Sequence, residues 1–438
     1  MKAKIRKVKV IGAGLAGCEA AYQLSKQGVK VELYESKPIV KSSAHHTDNF
    51  CELVCSNSLK SNDLGTAGGL LKEELRRLDS LVIRCADSCS VPAGGALAVD
   101  REKFSSAVTQ EIKRNTNIKV INSLVENVSS EDITVIATGP LTLGKLNDAI
   151  AALTGESLHF FDAAAPIVSH ESVDFSQTFT ADRYDKGTGD YVNCPMNKEQ
   201  YENFVRQLVA AQRATLHDFE KREVFEGCMP VEIMASRGED TLRFGPLRPV
   251  GFKDPITGLR PYAVVQLRKE NAAGTMYNIV GFQTNLKFSE QKRVFGLIPA
   301  LANAEYLRYG VMHRNSFINA PKSLMPSFAC RKNTNVFIAG QLSGVEGYVE
   351  SIASGLVAGI NAARVVQGKE TVEFPQETII GALAAYICAE NEDFQPMNAN
   401  FGILPPIKIR IKDKKERKLA YSERSLDVLD KFICENLT

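Results

Sequence analysis

The chain has no tryptophan, which leaves tyrosine and any bound chromophore to dominate its fluorescence. It also lacks a charge of one sign: 53 Lys and Arg against 51 Asp and Glu give +2. No strong overall field draws such a molecule onto a polyanion, so any affinity for nucleic acid has to come from a local patch. No apolar run is long enough to span a bilayer, no signal-peptide pattern precedes Val8, and neither end carries a lipidation signature. The ten cysteines are therefore expected as reduced thiols in a cytoplasm, not as a disulfide framework. Internal repeats and low-complexity tracts are missing too. What remains is the balance of a globular protein, 44% apolar and 24% charged over 438 residues, enough for two or three domains with proper cores.

The opening residues carry the clearest pattern. Residues 8–11 read as a short apolar strand, 12–17 as a glycine turn, and 18–27 as a helix with Ala21 and Leu24 facing inward and Gly28 ending it. Residues 29–34 alternate and are β-branched, which predicts a second strand with Glu35 at its tip. The result is a βαβ unit. Residues 41–69 turn to His, Ser, Asn, Gly and Cys without periodicity, predicting a long irregular segment of the kind that usually carries function. Helices are expected over 70–78 and 99–115, the latter capped by Asp100, and short buried strands at 118–121 and 133–137. A strand at 336–339, then Gly340 and a helix at 351–366, returns to the opening grammar. The expected fold class is α/β: a discontinuous Rossmann-like dinucleotide domain of residues 1–180 and 305–438, with an α+β domain of residues 181–304 inserted. Turns at 185–189, 254–258 and 271–274 mark the insertion. Residues 407–424 hold eight basic side chains against three acidic ones, a patch suited either to phosphates or to a solvated helix face.

The glycine turn reads Gly12, Ala13, Gly14, Leu15, Ala16, Gly17. A GxGxxG alone is weak evidence, but here a strand precedes it, and a helix, a strand and an acid follow. Gly12 permits the tight turn, Gly14 lets backbone approach a pyrophosphate, and Gly17 lets helix pack on strand. The helix N-terminus offers free N–H groups to phosphate. Glu35, eighteen residues after Gly17, is placed for ribose hydroxyls and would repel the extra phosphate of NADP. FAD, NAD and S-adenosylmethionine all use such a crevice. Two further Gly-ended strands, at Thr138–Gly139 and Gly340–Gln341, with a helix bearing Gly355 and Gly359 after the second, favour FAD.

Cys18, Cys194, Cys330, Cys388 and Cys434 have no distinctive neighbours, and inert burial is their default. Cys55 lies in a polar, donor-rich loop, and Cys228 is framed by Gly227 and Pro230. Both settings are able to supply the donors that a thiolate needs. His45, His46, Asp48, Cys51 and Cys55 crowd one stretch, and Cys85 with Cys89 repeats the spacing of Cys51 with Cys55. Structural zinc sites pair their ligands more tightly, so no metal is expected. A redox pair of Cys51 and Cys55 lacks the usual two-residue separation.

With these residues in view, the chain resembles the folate- and FAD-dependent tRNA (uracil-5-)-methyltransferase family over nearly its whole length. The resemblance lies in the glycine turn and in the blocks at 44–48, 53–59, 89–98, 225–230, 309–315, 344–350 and 395–401. It implies that FAD receives a one-carbon unit from methylenetetrahydrofolate and delivers it to C5 of a uridine, with NADH or NADPH as reductant, making ribothymidine in the T-loop of tRNA. It also implies Cys228 as the nucleophile toward uracil C6 and Cys55 as its partner, the proton acceptor or a group near the flavin. Chemistry agrees: uracil C5 attacks an electrophilic carbon only after a thiolate has added at C6, and a base must then remove the C5 proton. Tyr348 is a candidate to stack on flavin or folate, or to serve the core; His313 and Arg314 are candidates for folate or RNA phosphate, or equally for a structural role. Three alternatives stay open: the same chemistry on a ribosomal RNA uridine, a related enzyme that places the one-carbon unit on a wobble uridine, and a non-catalytic flavin-bound RNA chaperone.

Overall fold

In the computed structural model of the protein the described residues are 7–437, apart from 43, 143, 156, 186–188, 215–228, 256 and 393. The first layer is a six-stranded sheet in the order Ala329–Cys330, Asn333–Ile338, Thr134–Ile136, Lys7–Ile11, Lys30–Glu35, Ile118–Asn122. Five strands run parallel and the edge strand Ala329–Cys330 is antiparallel. Parallel strands covered on both faces need continuous apolar runs, which Val8, Val10, Val135, Ile136 and Val336 to Ile338 supply, all fully or almost fully buried. The carboxyl ends of the central strands lead into Gly12, Glu35, Thr138 and Gly340, which gathers distant segments along one edge of the sheet.

The first helix spans Leu15–Lys26 and packs against the long helix Tyr348–Val366. The backbones come so close that a Cβ on Gly355 would lie 2.2 Å from the Ala16 carbonyl oxygen. Both helices begin three residues earlier than apolar periodicity suggests, because each first turn faces the cleft described below instead of the core. The second helix is also long and apolar enough to cross a membrane, although no such run was expected; 83% of its most apolar window is buried inside the protein. Asp100 caps helix Arg101–Arg114 as expected, its side chain accepting from the Lys103 N–H at 3.1 Å. The irregular segment 41–69 contains one strand, Ser58–Ser61, paired with Ala96–Val99.

The second sheet is antiparallel, in the order Phe179–Thr180, Val192–Met196, Ala263–Lys269, Met276–Ile279, Ile167–Ser169, Tyr306–Arg308. Its apolar face covers a separate core containing Cys194, Val265, Leu267, Phe204, Phe282 and Phe295. The strands Ser157–Ala163 and Met312–Ile318 pair antiparallel and carry the chain out to this unit and back.

Candidate active site

The glycine turn sits at the mouth of a cleft along the carboxyl edge of the parallel sheet. Gly12 has φ 97° and lies against the Ala137 carbonyl; a Cβ on Gly17 would stand 1.8 Å from the Gly12 carbonyl oxygen. Gly14 is different: a Cβ there would meet nothing within 4 Å. That open space faces a helix start with no side-chain cap, so the first-turn N–H groups of Leu15 and Ala16 are left for an anion. Glu35 is buried, and its carboxylate accepts from the Ala13 N–H and the Lys37 N–H, both at 2.8 Å. Two lone-pair positions remain for ribose hydroxyls.

Gly12, Gly14, Leu15, Ala16, Glu35, Thr138, Gly139, Gly340, Gln341 and Tyr348 all line this cleft. Ala13 and Gly17 lie behind it, the first orienting Glu35 and the second packing helix on turn. Thr138 Oγ1 shares a hydrogen bond of 2.6 Å with Thr142, and Gly340 N–H donates to Ser354 Oγ at 2.7 Å, fixing both Gly-ended strand tips. These residues fit a dinucleotide: an acid for ribose, an uncapped helix start and free space at Gly14.

A second cleft adjoins the first. The two share Val54, Pro140, Leu141, Gln341, Tyr348 and Ser351 as a common waist. Beyond the waist the second cleft is lined by Cys55, Lys60, Ala163, Ala164, Gln283, Glu346, Gly347 and Asn398, among others. Cys55 is partly buried; its N–H donates to Tyr348 Oη at 2.7 Å and its Sγ points to the Ala163 carbonyl at 3.7 Å.

The loop that carries Cys55 is held from far along the chain. Arg101 donates to the carbonyls of Leu53 and Cys55, and Arg308 donates to the carbonyl of Val54. Burial opposes the charge on Arg101, but the Glu270 carboxylate beside it outweighs that cost and keeps the guanidinium protonated. Burial and the nearby Arg101 push Arg308 below its ordinary value. Asn57 donates to the Val99 and Lys269 carbonyls at 3.0 Å each and accepts from Arg268 at 2.9 Å, and Arg268 also donates to Ser56 Oγ at 2.7 Å. On the helix Ala67–Arg77 that follows, Lys72 is fully buried and donates to the Leu59, Ser61 and Gly68 carbonyls at 2.7 to 2.8 Å. Its grip brackets Lys60, which has φ 63° and pairs with the buried Glu350 at 2.9 Å.

Cys228 lies outside the described residues, as do the side chains of His313 and Arg314. The backbone on either side of 215–228 is placed: Ala214 N–H donates to the Asn285 carbonyl at 2.8 Å and Val231 N–H to the Gln283 carbonyl at 2.7 Å. Gln283 lines the second cleft. Burial pushes Cys85, Cys194, Cys330 and Cys388 up to about 12, the behaviour of inert thiols. Among the described residues no group of three or more His, Cys, Asp and Glu side chains is arranged to hold a metal ion.

Sequence reasoning missed Arg101, Arg268, Glu270, Arg308 and Lys72. One signal was readable: Arg101 occupies the first position of a helix, where the dipole disfavours a cation, so another partner had to favour it.

Fold and clefts together define a dinucleotide-binding protein of the flavoenzyme class, with a second ligand chamber opening off the dinucleotide groove. The chain belongs to the family described as glucose inhibited division protein A, which matches residues 7–370. It is 59% identical to the methylenetetrahydrofolate–tRNA-(uracil-5-)-methyltransferase TrmFO of Acetivibrio thermocellus, over 97% of this chain and 98% of that protein. The Bacillus subtilis protein of the same name is 56% identical over 96% and 97%. Among solved structures, Aquifex aeolicus GidA superposes with a TM-score of 0.71 at 16% identity, covering 97% of this chain and 73% of that one; this likeness concerns the fold.

Proposed function

We propose that the protein forms 5-methyluridine in tRNA, at the T-loop uridine, with methylenetetrahydrofolate as carbon donor and NADH or NADPH as electron source, and that it works in the cytoplasm. The carrying observation is the shared waist: Cys55 stands in a chamber that joins the dinucleotide groove across Tyr348 and Gln341. Support comes also from relatives of that name at 56–59% identity along nearly the whole chain.

FAD in the groove supplies reducing equivalents and a carrier position for the one-carbon unit. Gly14 and the N–H groups of Leu15 and Ala16 hold its pyrophosphate, and Glu35 its ribose. The protein's own part is then to activate and orient the uridine. Cys228 adds to C6, which makes C5 nucleophilic toward the one-carbon unit; Cys55 then takes the C5 proton, and the C6–sulfur bond breaks to restore the C5–C6 double bond and free Cys228. In this reading the task of the unit inserted at 181–304, whose sheet also takes in the strands Ile167–Ser169, Phe179–Thr180 and Tyr306–Arg308, is to bring Cys228 to the dinucleotide domain of 1–180 and 305–438. C5 and C6 of a stacked base cannot meet both flavin and sulfur, so the uridine leaves its stack to react.

The test is incubation of flavin-loaded protein with reduced nicotinamide, methylenetetrahydrofolate and unmodified tRNA transcript. T-loop 5-methyluridine is expected; absence of product at full flavin loading sinks the reading, and product only on ribosomal RNA corrects the substrate. RNA containing 5-fluorouridine is expected to crosslink to Cys228, whereas a crosslink to Cys55 reverses the two thiol roles.

A further inference from the structure

Beyond the second cleft stands a feature that the reaction does not use. Phe288 and Tyr309 stack with centroids 4.6 Å apart and planes 18° apart, and Tyr309 and Tyr306 stack at 5.0 Å and 5°. The three rings form a ladder whose outer rung, Phe288, is 53% exposed. Its inner rung is anchored, Tyr306 Oη donating to the Gln291 carbonyl at 3.3 Å.

The ladder is tied to the cleft by a short series of contacts. Gly310 follows Tyr309, exchanges two hydrogen bonds with the Gln291 side chain, and is packed so tightly that a Cβ there would lie 2.7 Å from the carbonyl oxygen of Ala164, a cleft-lining residue. Arg308, on the other side of Tyr309, holds the Val54 carbonyl next to Cys55. Phe288 itself lies five residues beyond Gln283, also in the cleft wall. Lys287, Lys292 and Arg293, close to Phe288 in the chain, are exposed, as is Arg213, whose backbone bridges to Leu286; Glu290 is the one acid within 287–293 and is paired with Arg293 at 2.7 Å.

We propose that this ladder is a stacking platform for a nucleobase of the RNA next to the reacting uridine, with the surrounding cations on its phosphates. Rings already stacked in parallel present a further flat face of the same orientation, which an unpaired base extends and an aliphatic side chain does not. Extracting one uridine removes a stacking partner from its neighbour, and Phe288 replaces it. The positive rim complements a phosphate backbone, which selects RNA over a second copy of this near-neutral chain.

The inference rests on the proposed RNA activity, and the experiment separates the two. Flavin-loaded wild type, Phe288→Leu and Phe288→Trp are titrated with T-loop RNA carrying 2-aminopurine beside the target uridine, and 5-methyluridine formation is measured in parallel. Expected for Phe288→Leu is a Kd weakened by about ten-fold, the weight of one lost base stack, with 2-aminopurine quenching lost and flavin reduction by nicotinamide unchanged. Phe288→Trp is expected to retain both affinity and quenching. Unchanged affinity and quenching in Phe288→Leu, in a preparation whose wild type methylates, overturns the platform. So does a Phe288→Leu variant that binds RNA normally but loses self-association, which would make the ring a subunit contact. Quenching by a wild type that makes no 5-methyluridine supports the platform and removes the proposed reaction instead.

Discussion

The glycine turn and the Cys55 loop lie on either side of one waist, yet they are built by opposite means. The turn takes its shape from near neighbours in sequence, with Gly17 packed on Gly12 and the Glu35 that orients Ala13 only 22 residues away, and Ala137 and Gly355 pack on it from farther along the chain. The thiol loop is held from outside, by Arg101, Arg268 and Arg308, of which the last two are more than 200 residues distant. One site is specified by spacing and the other by tertiary structure, so damage to each is expected to spread differently.

The largest effect is expected within the turn itself. Gly17→Ala puts a methyl 1.8 Å from a backbone oxygen, where neither partner is able to yield, and should cost more than about 5 kcal/mol, beyond the ordinary range for a point change. Soluble protein, if recovered, should lack flavin and unfold early in denaturant. Gly14→Ala adds its methyl to open space at an ordinary φ of −77°. Its unfolding midpoint should stay within about 1 kcal/mol of wild type, while flavin affinity, read by absorbance after dialysis, falls sharply. Equal loss of stability in both variants would show that the space at Gly14 has no bearing on the dinucleotide.

The same contrast explains what was legible in the sequence. A strand, three glycines, a helix and an acid all fall within residues 7–35, and their order is itself the structure, so the groove residues were readable down to Gln341 and Tyr348. Cys55 was readable as a thiol in a donor-rich loop, but not what holds it. Arg101, Glu270 and Arg308 belong to separate elements, and nothing in their local spacing says that they meet; Arg308 reaches Val54 from the strand Tyr306–Arg308, which pairs with Ile167–Ser169 in the second sheet. Phe288 shows the same limit, an isolated aromatic until the fold sets it on Tyr309.

Cutting the long-range ties is the next test. Arg101→Ala leaves Glu270, whose side chain is 1% exposed, charged without its partner. Removing one member of a buried pair costs about 3 to 5 kcal/mol. Activity should collapse while bound flavin per folded molecule stays near wild type, and Glu270→Gln in the same chain should restore part of the stability. Flavin loss in step with activity would mean that the two regions are not built independently.

A smaller effect follows from Lys72. Burial lowers its ammonium to about 8 from an ordinary 10.5, so between these values the folded chain holds fewer protons than the unfolded one. Stability from this residue therefore rises as pH climbs from 8 toward 10.5, by up to about 3 kcal/mol at 1.36 kcal/mol per unit. Urea midpoints taken near the two ends should show that slope in wild type, and Lys72→Met should remove it. Because the hydrogen bonds of Lys72 among the described residues go to the carbonyls of Leu59, Ser61 and Gly68, and Lys72 lines neither cleft, flavin affinity should not follow it. An identical slope in the variant would place the titrating group elsewhere.

The smallest change tests the waist itself. Tyr348 lines both clefts, stands at the first position of its helix, and accepts the Cys55 N–H at 2.7 Å. Tyr348→Phe keeps the ring and removes that acceptor. Cys55 is only partly buried, so water satisfies the freed N–H and the cost should sit near the low end for a lost hydrogen bond, about 1 kcal/mol. If the bond serves to hold the thiol in register, that amount appears in turnover as a kcat lowered about five-fold, with flavin content and the KM for RNA unchanged. A fall in flavin content would assign the hydroxyl to the dinucleotide side, and an unchanged kcat would mean that Arg101 and Arg308 fix the thiol loop without it.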